Sequence, residues 1–212
     1  MSIGKGAQFD AGFVSVNPNS KIPCGVDRAP VDGGEPVPLF ESGAMMVYLA
    51  EKHQRFIPLD ARGRAECMSW VMWQMAGQGP MTGNFGHFMV YAPPTLGGAR
   101  NYGVARYGME VQRLCSVLER HLAGGRRFIC GDTYTIADMI ILPWFELIRT
   151  VGYTHPTGVG ARTFLNTAQY VNCQRWADAL MARPQVQRGM LVCRGKPKPW
   201  LSDPRFKHLA KM

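Results

Sequence analysis

Asn17-Pro18-Asn19-Ser20-Lys21-Ile22-Pro23, followed by Glu41-Ser42-Gly43 at the mouth of an apolar stretch, is the part of this sequence that decides its fold. A proline after an apolar residue at the start of a short strand suits a cis peptide bond. That geometry turns the preceding backbone N–H and C=O outward to pair with an extended ligand. Ile22 supplies both groups. Glu41-Ser42 stands where a helix begins, so free N–H groups there can hold a carboxylate while the Glu41 side chain holds an amine beside it. The two segments together suit a tripeptide whose middle residue pairs with backbone and whose amino-acid head docks on a helix N-terminus.

Working outward, the sequence divides near Pro58. Before it, the pattern predicts an irregular or helical piece over 12–17, a strand from Ile22, a Pro/Gly-rich turn over 29–38, a strand over 37–40 and a helix over 42–53. After it the pattern is helical almost throughout. Residues 61–78 are apolar on most of their circumference through Cys67, Trp70, Val71, Met72, Trp73 and Met75, so this helix is expected to pack on both sides. A homodimer partner can cover one side. Gly77, Gly79 and Pro80 are expected to break it. Helices are also predicted over 103–122 and over 170–183, the latter stopped by Pro184.

Of 212 residues, 46% are apolar and 10% aromatic, enough for a sizeable core in one or two compact domains. Six cysteines, Cys24, Cys67, Cys115, Cys130, Cys173 and Cys193, are scattered without metal-ligand spacing. They read as reduced thiols, with no metal site. The sequence shows neither a membrane-length apolar run nor a signal peptide, so a cytosolic location is the expectation. The formal charge is +9, but six basic residues against one acid from Arg194 onward place +5 of it in a proline-containing tail over 194–212. A basic arm can bind nucleic acid. No groove-reading helix or aromatic-basic alternation accompanies it, so neither nucleic acid nor membrane is an expected partner.

The blocks FESGAMMVYLAEK (Phe40 to Lys52), WVMWQMAGQGPM (Trp70 to Met81), GHFMVYAP (Gly86 to Pro93) and GDTYTIADMIILPW (Gly131 to Trp144), with Gly6 to Phe9 and Asn17 to Pro23, carry a resemblance to a known family. In this order and spacing they resemble the nu-class glutathione transferases. That group is similar to bacterial glutathione-dependent disulfide-bond oxidoreductases and to the fungal prion-forming homologue. The resemblance runs from about Ile3 to about Arg194. It implies an α/β plus all-α chain: a truncated thioredoxin-like glutathione-binding domain over 1–57, an all-helical glutathione transferase C-terminal domain over 61–193, and the tail.

The resemblance also implies site residues. Glu41, Ser42, Ile22 and Pro23 would anchor glutathione as cosubstrate. Lys21 would pair with its glycyl carboxylate, a solvated surface lysine being the alternative. Gln8 and Arg106 match positions that contact a second glutathione or its disulfide partner. Arg106 has the alternative of pairing with Glu110 four residues on. Gln74, an amide on an otherwise apolar helix, needs a partner and can face the site. His87 and Tyr91 can line the second-substrate cleft, a hydrogen-bonded core position being the alternative for His87. Cys24 reads either as redox-active or as a core strand residue. Thr135 and Asp138, in T-I-A-D, form a capping box that is structural.

In the family a β-α-β unit precedes the Gln8 segment and carries the Thr or Asn that activates the glutathione thiol. It has no counterpart in this sequence, so the catalytic residue is unassigned and weak activity is expected of so short a form. The function implied is glutathione transfer or glutathione-dependent reduction of a small disulfide or electrophile. The alternatives are a non-catalytic glutathione-binding or regulatory protein and an interaction protein using its basic tail.

Overall fold

The computed structural model describes residues 3–150 and 152–192; the basic tail and Cys193 lie outside the described residues. The chain forms two compact units. The first holds the described residues up to Pro80 together with Arg127–Ile141, and the second holds Met81–Arg126 and the described residues from Leu142 on.

In the first unit, short 3-10 turns and helix α1 (Ala11–Val14) lead to the loop that precedes strand β1 (Cys24–Asp27). This strand pairs antiparallel with β2 (Val37–Phe40), Cys24 opposite Phe40 and Asp27 opposite Val37. β2 and α2 (Ser42–His53) have the predicted bounds. β1 begins at Cys24, later than predicted, because Pro23 has no N–H to give the ladder. Lys52 Nζ at 2.5 Å and the Tyr48 hydroxyl at 2.8 Å both donate to Asp27 Oδ2, which ties α2 to β1. These donors, Lys52 first, hold the Asp27 carboxyl down to about 2.

Asp60 caps α3 (Ala61–Trp73) by accepting the Gly63 N–H at 2.8 Å. The break expected at Gly77, Gly79 and Pro80 does not occur. The helical path widens into a π segment at Gln74–Gln78, resumes as α4 (Gly79–Gly86), and widens again at His87–Tyr91. Single-turn π segments of this kind are rare inside helices and often fall at functional sites.

In the second unit, α5 (Gly98–His121) buries Val104, Val111, Leu114, Cys115 and Leu118 at three- and four-residue steps. The division of the chain falls within α6 (Ile136–Arg149), after Ile141. Beyond it come α7 (Ala161–Phe164), α8 (Val171–Met181) and α9 (Pro184–Leu191), with Pro184 opening α9 at a position that needs no N–H. Trp176, Phe145, Phe85, Leu118 and Ile148 are almost fully buried here, and the Phe145 and Trp176 rings lie 6.3 Å apart. Glu119 fastens α5 to the start of α8 by accepting the Asn172 N–H at 3.0 Å and the Cys173 N–H at 2.9 Å.

Candidate functional site

The loop before β1 is shaped by Asn17, which is 2% exposed. Its Nδ2 donates to the Lys21 carbonyl at 2.5 Å and its Oδ1 accepts the Asn19 N–H at 2.9 Å, an Asx turn that sequence reading passed over. Lys21 and Ile22 are thereby pushed outward, Ile22 being 57% exposed, and the Ile22–Pro23 peptide is cis. The register that sets Cys24 opposite Phe40 brings this junction to the end of the sheet at which Glu41-Ser42 starts α2.

Glu41 adopts φ 64 and ψ 113, a backbone conformation that costs a non-glycine residue about 1–3 kcal/mol. Its carbonyl accepts the Met45 N–H at 2.9 Å, the first bond of the helix. Its carboxylate makes no cap bond, and the first turn holds no acidic residue. The N–H groups that open α2 therefore have no cap from Glu41 and stand at the positive end of the helix dipole, an arrangement that suits a carboxylate.

Behind that turn, Ser42 Oγ lies 3.6 Å from Met75 Sδ. A Cβ on Gly43 would come within 2.8 Å of Met75 Cγ, so only glycine lets α2 approach the first π segment this closely. That segment carries Gln74, 2% exposed, whose Oε1 is buried with no hydrogen-bond partner among the described residues. Gln8 Oε1 is in the same state. Buried amide oxygens without partners are uncommon, and π turns concentrate at functional sites.

The second unit holds the remaining candidates. Arg106 is exposed on α5, and Glu110, its alternative partner, is engaged by Arg113, whose Nη2 meets Glu110 Oε1 at 2.7 Å. His87 is exposed rather than in the core, edge-on to the Phe88 ring at 5.3 Å, and Tyr91 is 70% exposed. Both sit in the second π segment. Its turn is held by buried Arg100, whose Nε donates to the Phe88 carbonyl and whose Nη2 donates to the Met89 carbonyl, each at 2.9 Å. A Cβ on Gly103 would meet the Phe88 ring at 2.4 Å, which fixes α5 close against the same turn.

At the head of α6, fully buried Asp138 accepts the Thr135 N–H at 3.0 Å and the Ile129 N–H at 2.9 Å. The box therefore caps the helix and also holds the loop before it. Among the described residues no cluster of His, Cys, Asp or Glu is placed to hold a metal ion, and no helix is long and apolar enough to cross a membrane.

Residues 101–179 match the family described as Glutathione S-transferase, C-terminal domain. The chain is 43% identical over 192 residues to the disulfide-bond oxidoreductase YghU of Escherichia coli, covering 91% of itself and 62% of that protein. To the disulfide-bond oxidoreductase YfcG of the same organism it is 37% identical over 191 residues, covering 90% of itself and 81% of the relative. It is similar, with a TM-score of 0.83 and 38% identity over 92% of this chain and 77% of the other, to a glutathione transferase from Burkholderia graminis with two glutathione molecules bound per subunit. The chain belongs to the glutathione transferase family, and its fold is a short N-terminal sheet followed by a helical domain.

Proposed function

We propose that the chain binds glutathione at the N-terminus of α2 and uses it to reduce small disulfides or to attack small electrophiles. The observation that carries this reading is the uncapped start of α2, where Glu41 makes no cap bond and the first turn is without an acid. In the proposed complex the amide groups that open α2 take the γ-glutamyl carboxylate, the Glu41 side chain takes its ammonium, Ile22 pairs with the cysteinyl backbone beside Pro23, and Lys21 meets the glycyl carboxylate. Gln74 and Gln8 supply amides whose oxygens have no hydrogen-bond partner among the described residues. On the second unit the same reading assigns Arg106 to a ligand carboxylate, and His87 and Tyr91 to the second substrate.

Glutathione brings its own thiol, so this chemistry asks the protein for binding, orientation and donors that stabilise the thiolate. The thiolate attacks one sulfur of the disulfide, a mixed disulfide forms, and a second glutathione releases the reduced product as oxidised glutathione leaves. The reading includes a cytosolic setting, where glutathione is held reduced. It also includes a homodimer with α3 at or near the interface. Support for the dimer comes from Met72, 50% exposed on that helix, beside the Trp70 and Trp73 rings, whose centroids are 5.1 Å apart.

Calorimetric titration with glutathione, paired with turnover of a small disulfide, tests the reading. Glu41→Ala removes a charge-assisted hydrogen bond to the ligand ammonium, for which a loss of about 1.5–3 kcal/mol is typical. Binding should weaken roughly 10- to 100-fold. Equal affinity in wild type and variant would remove Glu41 from the site.

A further inference from the structure

The far end of α2 borders a cleft of about 540 Å³ that lies wholly within the first unit. Met46, Leu49 and His53, spaced for one face of α2, line it together with Ile136 and Met139 at the head of α6. Ile136 is 3% exposed, whereas Leu49 leaves 46% of its surface in water. The segment after α2 adds Arg55 and Phe56 to the lining. Phe56 has φ 64, rare for an aromatic residue, and its position is fixed from two sides. Its carbonyl accepts the Ile136 N–H at 2.9 Å, and its ring stands edge-on to Tyr134 at 6.0 Å. Arg55 Cζ lies 5.0 Å from the centre of the Phe56 ring.

We propose that this cleft binds a medium-chain fatty acid, its alkyl chain along the apolar lining and its carboxylate on Arg55 and His53. The charge balance of the lining selects an anion. It contains two basic side chains and no acid. Both are exposed, and among the described residues neither has a carboxylate partner, while the acids nearest in the chain are already engaged, Glu51 by Arg64 and Asp27 by Lys52. A guanidinium seated over an aromatic ring can still donate its in-plane N–H groups to a carboxylate. The rest of the lining selects a chain. Met46 to His53 covers roughly 10 Å along α2, and the flexible thioethers of Met46 and Met139 can fit themselves to an alkyl group. Volume and composition match a small-molecule pocket: mostly apolar walls with a few polar groups at one end.

The cleft is separate from the start of α2, since His53 lies roughly 16 Å along the helix from Ser42. Fatty acid binding therefore does not depend on the glutathione reading, and the two ligands should bind side by side without competition. Binding is non-covalent and asks nothing of the thiol chemistry.

The test is a titration of the full chain, labelled with carbon-13 at its methionine methyls, with monomeric decanoate and in parallel with decanol. Decanoate should shift the Met46 and Met139 methyl signals saturably, and decanol should bind about 10-fold more weakly for want of the charged hydrogen bond. Arg55→Gln should weaken decanoate by about the same factor and leave decanol unchanged. Leu49→Glu, a change at an exposed position, should abolish decanoate binding while the fold is kept. Saturable binding that leaves both methyls still overturns the proposal, as does equal affinity for acid and alcohol, or no binding at all. Should both methyls shift on raising protein concentration alone, with decanoate then without effect, a second copy of the chain occupies the cleft and the proposal falls.

Discussion

Gly43 has no room for a side chain, because Met75 Cγ lies 2.8 Å from where its Cβ would be. Gly43→Ala should therefore destabilise the protein by about 1–3 kcal/mol, read from urea unfolding, with part of the loss recovered when Met75 is also shortened to alanine. An unchanged midpoint would mean that the two segments are not this close. Asp27 makes a pH prediction. Its folded value of about 2 lies below the ordinary aspartate value near 3.9, so the unfolded chain takes up the proton first as pH falls. The stabilisation is present above about pH 4 and lost as pH falls towards 2. Wild type should lose its stability advantage over Asp27→Asn across that window in thermal melts, and parallel curves would contradict the assignment. At this scale the sequence was informative wherever chemistry is local. Glu41 and Ser42 were readable from a helix-start pattern, and the Asn-Pro-Asn of 17–19 contained a turn signal that went unused. The Gly43–Met75 contact was not readable, since it joins distant parts of the chain.

Elements were legible in proportion to how local their causes are. β2 and α2 fall on their predicted bounds, between the Pro/Gly-rich turn over 29–38 and the apolar stretch that Glu41-Ser42 opens. The helix over 61–78 does not end at Gly77, Gly79 and Pro80 as its sequence suggests, and the helical path runs on to Tyr91. What sustains its second π turn is Arg100, a distant buried guanidinium that takes two carbonyls. The head of α6 gives the prediction for this scale. An ordinary helix cap is worth about 1 kcal/mol, but Asp138 also satisfies the buried Ile129 N–H from another segment. Asp138→Ala strands both donors, so it should cost about 2–4 kcal/mol in chemical denaturation. A cost near that of a simple surface cap would show that the loop before α6 is held by other means.

For the molecule as a whole, the apolar face of α3 predicts self-association: light scattering at micromolar concentration should give twice the 23.6 kDa chain mass, and a monomer would remove α3 from any interface. Membership of the glutathione transferase family was legible from the order of its blocks, none of which identifies it alone. The role of the loop before β1 and the start of α2 rests on a sheet register that places them together. The most direct test is an amide-resolved NMR titration of the full chain with reduced glutathione. The account predicts that the largest shifts fall on the Ser42, Gly43 and Ala44 N–H groups, and that Glu41→Ala displaces the titration to higher ligand concentration. Saturation of the spectrum with glutathione while those amides stay still would contradict it.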